Sequence, residues 1–280
     1  MEKSKEIKLI AYDLDGTFLD DKKEIPEENL RYLSMAGEKG IYPVVATGRL
    51  FRAVPEVFKK IPGARFFILI NGAQVYDAEE DKIIFEANIS KETALDVYRY
   101  GDTLDCIYDA YVNNSSYMTE SMRDRFDEYM PDKNYLPTLK ALRNPVDDLK
   151  KFIEEGSYDI QKLQYFFRDL DEKDRQYELL KKRYPELKIT KSLISNIEIN
   201  SMTANKGNAL NAICEYLGIS SDNTVSFGDG MNDLDMIIAA GTGIAVKNAD
   251  REVIENADIV SEYTNNEAAV GKEIKKLLEL

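Results

Sequence analysis

"KLIAYDLDGTFLD", residues 8–20, runs an apolar, strand-like stretch into an acid, Asp13, with a second acid at Asp15 and Gly16-Thr17 directly behind it. A strand with no polar alternation is buried on both faces, the pattern of a parallel sheet covered by helices. One unpaired carboxylate at the buried end of such a strand costs several kcal/mol, and a second one nearby adds repulsion. Something at that strand end must therefore compensate two negative charges.

Outward from this stretch, the chain alternates strand and helix. Residues 26–39 carry Leu30, Leu33, Met35 and Ala36 at helical spacing, and Gly40 closes the helix. Residues 41–46 read as strand, 50–61 as helix and 66–70 as strand, a βαβαβ unit. From Ala73 the pattern changes: "AQVYDAEEDKIIFEA", residues 73–87, reads as two short strands around an acidic turn. Behind it the sequence predicts helices over 91–100, 123–130, 146–155 and 172–184, strand over 107–118, 160–167 and 193–199, and a Pro- and Asn-bearing loop over 131–145. Alternation resumes with a helix over 206–217 closed by Gly218, a strand at 224–227, a helix at 231–240 and a strand at 244–246. "DREVIENAD", residues 250–258, and "NNEAAVGKEIKKLLEL", residues 265–280, add two more helices. The expected organisation is an α/β protein with a doubly wound parallel-sheet core formed by residues 1–84 and 194–280, interrupted by an α+β domain over 85–193.

Bulk properties narrow the function. At 280 residues the chain is long enough to split into two domains. Its net charge of −14 argues against nucleic acid or an anionic membrane as partner, since both reward Lys and Arg. Residues 1–6 are charged, and no stretch of ~20 apolar residues exists, so neither a signal peptide nor a membrane span is expected and the protein is read as cytoplasmic. Cys106 and Cys214 stand far apart and read as buried packing residues. The chain has no histidine, which excludes Ser-His-Asp and Cys-His chemistry, His-ligated zinc and any imidazole base. Proton transfer falls to carboxylates, lysine, tyrosine or water.

Four short segments sit where a strand gives way to a turn or helix, the place where open α/β sheets bind ligands. They are Asp13-Leu14-Asp15-Gly16-Thr17, Thr47-Gly48-Arg49, Asn205-Lys206-Gly207 and "FGDGMND", residues 227–233, with Asp229 and Asp233. Each has a plainer reading: a turn with an N-cap acid for the Asp13/Asp15 pair, a helix cap for Thr47, a solvated lysine for Lys206. A cation in the first turn of a helix opposes the macrodipole, however, which favours an anion beside Lys206. Together the four describe a phosphate site. Acids gathered at strand ends call for a cation, and an all-oxygen ligand set without His or Cys points to Mg²⁺. The Thr47 hydroxyl, the N–H of Gly48, the Asn232 amide and the Lys206 ammonium are suitable donors for phosphoryl oxygens.

In order and spacing these motifs resemble the four-motif signature of the haloacid dehalogenase superfamily, and within it the Cof-type phosphatases of subclass IIB. The likeness runs the length of the chain, with the inserted region corresponding to the C2B cap. The resemblance implies that Asp13 is the nucleophile that forms an aspartyl-phosphate and that Asp15 is the general acid and then the base. It further implies Mg²⁺ held by Asp13, the main-chain carbonyl of Asp15 and Asp229, with Asp233 steadying the metal or its waters. Leu14, Thr47, Gly48, Lys206 and Asn232 are the implied phosphate- and substrate-binding positions. Arg49 and Asn71 are further candidates, for which a structural salt bridge and a turn amide are the alternatives. A cap of this kind closes over the site in the family; Tyr108, Tyr111 and Tyr117 are candidates for its roof or simply packed cap residues.

The chain departs from the family pattern at "YTNNEAAVG", residues 263–271, where relatives often carry an acidic glycine turn. The expected activity is Mg²⁺-dependent hydrolysis of small phosphorylated metabolites, sugar phosphates or similar phosphomonoesters. A phosphomutase on the same scaffold and a phospho-ligand sensor without turnover are the competing readings, and the sequence is silent on oligomeric state.

Overall fold

The computed structural model describes residues 6–131, 133, 136–157 and 159–280. Part of the charged stretch 1–6 and of the expected loop 131–145 lies outside the described residues. In chain order the elements begin β1 (Leu9–Tyr12), α1 (Glu27–Glu38), β2 (Tyr42–Ala46), α2 (Glu56–Lys59), β3 (Phe66–Leu69), β4 (Gln74–Asp77) and β5 (Lys82–Glu86). There follow α3 (Lys91–Gly101), β6 (Cys106–Val112), β7 (Ser115–Thr119), α4 (Glu120–Asp124), α5 (Phe126–Tyr129), α6 (Leu136–Ala141), β8 (Arg143–Val146), α7 (Leu149–Glu155), β9 (Ile160–Phe167), α8 (Leu170–Arg183), β10 (Leu187–Thr190) and β11 (Asn196–Ser201). The last third holds α9 (Lys206–Leu217), β12 (Thr224–Gly228), α10 (Leu234–Ala239), β13 (Thr242–Ala245), α11 (Arg251–Asn256), β14 (Ile259–Val260) and α12 (Ala269–Leu277).

The chain divides into two compact units, Met1–Glu86 with Asn205–Leu280, and Ala87–Ala204. In the first, eight strands run in the order β14-β13-β12-β1-β2-β3-β4-β5. Pairings from β14 to β3 are parallel, and the β4–β5 hairpin adds an antiparallel edge. The sheet winds outward from β1 in both directions, so the strand order reverses beside β1 and β12, where open α/β sheets leave a crevice. Its core follows from the sequence pattern: α9 lays Ala209, Leu210, Ile213 and Cys214 against Leu9, Ala11, Val44, Phe66 and Ile68. Full burial of each Leu or Ile there stabilises by about 1.5–3 kcal/mol. Gly218 ends α9 in the left-handed region at φ 65°, where glycine carries no Cβ penalty.

The second unit is a six-stranded sheet in the order β10-β11-β9-β6-β7-β8, antiparallel except for β7–β8. Helices α3, α7 and α8 cover one face through Tyr98, Leu149, Ile153 and Leu180, and the alternate residues Ile107 and Phe166 pack under α5 and α6 through Phe126, Tyr129 and Leu139. Tyr108 belongs to the first of these cores, with its hydroxyl 2.7 Å from Asp102 Oδ1, and Tyr117 packs on Phe152 at 4.6 Å between ring centroids. Tyr111 is buried as well. Cys106 and Cys214 are both buried and free.

Three features differ from the sequence reading. The return to the first unit falls at 204/205 instead of 193/194, because Asn196–Ser201 pairs with β9 and β10 and so completes the second unit's sheet. The helix expected over 50–61 is a 3₁₀ turn, Phe51–Ala53, and the short α2, because Pro55 drives Val54 to extended backbone (ψ 124°). The expected loop 131–145 contains α6 and β8; Pro145 is accommodated because β8 is an edge strand, where a missing N–H breaks no interior ladder. No helix among the described residues is long and apolar enough to cross a membrane.

Candidate active site

Asp13 follows β1, and its N–H donates to Phe227 O of β12 at 3.0 Å, so the ends of the first and twelfth strands are tied together. Asp229 follows β12, and Asp233 directly precedes α10. These placements bring three carboxylates together: one oxygen each from Asp13, Asp229 and Asp233 lies within 4.8 Å of the others. The Asp233 side chain is held by N–H groups of Asp229 and Gly230, both 3.0 Å from its Oδ2, and Thr17 donates to Asp229 Oδ1 at 2.5 Å.

Lys206, the first residue of α9, is completely buried and reaches both acids, at 2.5 Å to Asp13 Oδ1 and 2.6 Å to Asp233 Oδ1. The unfavourable cation at this helix start is thus explained by two anions. Burial works against the ammonium, but Asp13 and Asp233 outweigh it and hold its pKa above the ordinary value. One ammonium cannot balance three carboxylates. Burial raises the pKa of Asp13 well above the usual range, with Asp233 and Asp229 adding to the rise and Lys206 opposing it. Asp229 is pushed up to about 6, first by burial and then by Asp233. A buried, all-oxygen cluster short of positive charge fits a hard divalent cation.

The carboxylate of Asp15 stands outside this cluster. It takes a two-nitrogen grip from Arg49 (Nη2 at 2.9 Å, Nε at 3.1 Å) and a contact from Lys23 at 3.0 Å. Partial burial works to raise its pKa, but Arg49 and Lys23 outweigh that and bring it below the usual value. Arg49 therefore does form a salt bridge, and its partner is one of the two opening acids. The side chain of Leu14 lies in the core and its carbonyl accepts from Phe18 and Leu19 N–H, leaving its own N–H as the group suited to a phosphate.

Thr47 directly follows β2, the neighbour of β1, is buried, and accepts from Arg49 N–H at 3.3 Å while keeping its hydroxyl proton to donate. Gly48 lies against Asn71: a Cβ at Gly48 would sit 2.7 Å from Asn71 Oδ1. Asn71 itself holds a turn at φ 59°. Asn232 is half-buried in the 228–233 turn, and no described hydrogen bond ties its amide to the three acids. Neither Thr17 nor Lys23 is marked for a role in the sequence: the partner of Thr17, Asp229, lies 212 residues away, and Lys23, though near Asp15 in the chain, sits in a charged run with several possible partners.

Gly16 shows how tightly this turn is built. It has φ +94°, and a Cβ there would lie 2.3 Å from Asp229 Oδ2. Gly16→Ala is therefore expected to cost about 1–3 kcal/mol in unfolding free energy, measured by denaturant titration, and to reduce activity as Asp229 is displaced. A variant of unchanged stability would contradict this packing.

A parallel sheet with acids and a lysine converging at its switch point defines a doubly wound α/β protein with a charged ligand site at its strand ends. The comparisons narrow this: residues 10–274 match the family model of haloacid dehalogenase-like hydrolases. The chain belongs to that family. It is 31% identical over 275 residues to the 5-amino-6-(5-phospho-D-ribitylamino)uracil phosphatase YcsE of Bacillus subtilis, covering 96% of this chain and 95% of that one. With phosphatase YwpJ of the same organism the identity is 30%, over 97% and 100% of the two chains. A solved haloacid dehalogenase-like hydrolase from B. subtilis superposes with a TM-score of 0.79 at 28% identity, covering 96% of this chain and 99% of the other.

Proposed function

We propose that the chain hydrolyses small phosphomonoesters with Mg²⁺ bound, through an aspartyl-phosphate on Asp13. The observation that carries this is the buried junction of Asp13, Asp229 and Asp233 with Lys206. An Asp13 oxygen attacks phosphorus, the bond from phosphorus to the ester oxygen breaks, and Asp15 gives that oxygen its proton. A water then attacks the phosphorus of the aspartyl-phosphate while Asp15 takes the water's proton; inorganic phosphate leaves and the Asp13 carboxylate is restored. Lys206, Thr47, Gly48, Asn232 and Leu14 hold the phosphoryl oxygens. Asp13, Asp229 and Asp233 would hold the cation, with the Asp15 carbonyl as a further ligand; when bound it neutralises the carboxylates and polarises the phosphoryl group.

With Arg49 and Lys23 on it, Asp15 is charged at neutral pH, the form required for the base half of the cycle. The acid half requires both cations to turn toward the negative phosphoryl oxygens, which lets Asp15 regain its proton. The relative YcsE is named for a small phosphorylated metabolite, which supports the substrate class. The test is steady-state phosphate release from a panel of phosphorylated metabolites, with Mg²⁺ and after chelation. Release is expected only with the ion; isomer interconversion without free phosphate, or activity indifferent to chelation, would reject the proposal.

The raised carboxyls make a second expectation. In the metal-free folded chain Asp229, at about 6, and Asp13 bind protons more tightly than in the unfolded chain, where carboxyls titrate near ~4. The contribution of Asp229 is complete below about pH 4 and is lost as pH rises through about 6, and that of Asp13 is lost only as pH passes its own value, well above the usual carboxyl range. Mg²⁺ competes with those protons. The gain in melting temperature on adding Mg²⁺ should therefore grow from about pH 5 to about pH 7, and a pH-independent gain would show that these carboxyls do not hold the ion.

A further inference from the structure

The segment 263–271, which departs from the family pattern, lies against the turn that follows Asp13 and Asp15. That turn, residues 16–21, belongs to no strand ladder, so its carbonyls need other partners, above all those of the buried Phe18 and Leu19. Three asparagines supply them. Asn248 Nδ2 donates to Gly16 O at 2.8 Å, Asn29 Nδ2 to Phe18 O at 2.8 Å, and Asn265 Nδ2 to Leu19 O at 3.0 Å. Asn265 is 1% exposed; its amide also meets Asp21 Oδ1 at 3.1 Å, and its N–H donates to Asn248 Oδ1 at 2.9 Å. Asn248 in turn sits in a loop fastened to the metal-site strand, where Asp250 N–H donates to Asp229 O at 2.8 Å. Thr264 and Glu267 brace the far side through a reciprocal capping pair.

We infer that Asn265, with Asn248 joined to it, is a positioning residue for phosphoryl transfer: the pair clamps the carbonyls of Gly16 and Leu19 and so holds Asp15 and Thr17 in register with Asp13 and Asp229. This rests on the phosphatase reading above. Neither amide touches the three acids; both act through the turn. Asn266 provides the internal comparison, because among the described residues its side chain bonds only to Asp21, through Nδ2 to Oδ2 at 2.9 Å and from Asp21 N–H at 3.0 Å.

The test uses the full-length protein with p-nitrophenyl phosphate and Mg²⁺, kcat being expressed per folded molecule. Asn265→Ala, Asn265→Asp, which keeps the size but cannot donate, and Asn248→Ala should each lower kcat by about tenfold or more with KM within about threefold. Asn266→Ala should stay within about threefold of wild type in kcat. Hydrogen exchange at the Phe18 and Leu19 amides, which donate to Leu14 O at 3.2 and 2.8 Å, should speed up in the first three variants and not in the fourth. An active wild type whose Asn265 and Asn248 variants keep kcat, or an Asn266 variant that loses as much, overturns the clamp alone. A wild type that releases no phosphate overturns the phosphatase reading and the clamp with it.

Discussion

Asp13→Asn is expected to lower phosphate release from any phosphomonoester substrate by about 10⁴-fold or more while leaving the protein folded. Asparagine keeps the shape of the side chain but offers a neutral amide oxygen in place of a carboxylate nucleophile, so the covalent step has no route. The fold tolerates the change because Lys206 keeps Asp233, 2.6 Å away, as its counter-charge. It also removes one of three mutually repelling buried acids, so the metal-free variant should be no less stable than the wild type. Steady-state kinetics together with thermal unfolding check both halves. Retained turnover in a folded variant would eliminate Asp13 as the attacking group.

Lys206→Met has the largest expected effect on stability. Among the described residues the ammonium is the single cation bonded to Asp13 and Asp233, and all three groups are buried. Methionine fills similar volume without charge and leaves two carboxylates facing each other out of water. Removing one partner from a buried ion pair costs about 3–5 kcal/mol, and here it strands two acids. In chelator, denaturant unfolding of the variant should show a loss of that size. Mg²⁺ should return part of the stability by supplying positive charge. It should not restore activity, because a cation among the carboxylates does not replace the donor to the phosphoryl oxygen. A midpoint unchanged in chelator would show that Lys206 is not what balances the acids.

Local patterns in the chain were enough for much of the first unit. Apolar runs at 9–12 and 41–46 became β1 and β2, and the helix over 206–217 has the expected bounds, because hydrophobic period and a C-terminal glycine are properties of neighbouring residues. The anomaly of Lys206 at a helix start was legible for the same reason: the helix dipole is a local field. Strand β8 was not legible, since Arg143–Val146 has a proline and no apolar run and is held as a strand by pairing with β7. The second boundary was misplaced for a related reason. Asn196–Ser201 carries alternating polar residues that suit either sheet, and its partners, β9 and β10, lie in the second unit.

By itself the sequence determined the doubly wound core and the four strand-end motifs with their excess of acids, because each follows from residue type and short-range spacing. The tertiary structure alone decided which acids share the cluster, that Asp15 is gripped by Arg49 and Lys23, and that Asn265 and Asn248 take up the carbonyls of the 16–21 turn. These contacts join positions up to 246 residues apart, and hydrogen bonds and ion pairs act over a few ångströms; no local rule can choose among so many distant partners until the chain has folded and brought them together.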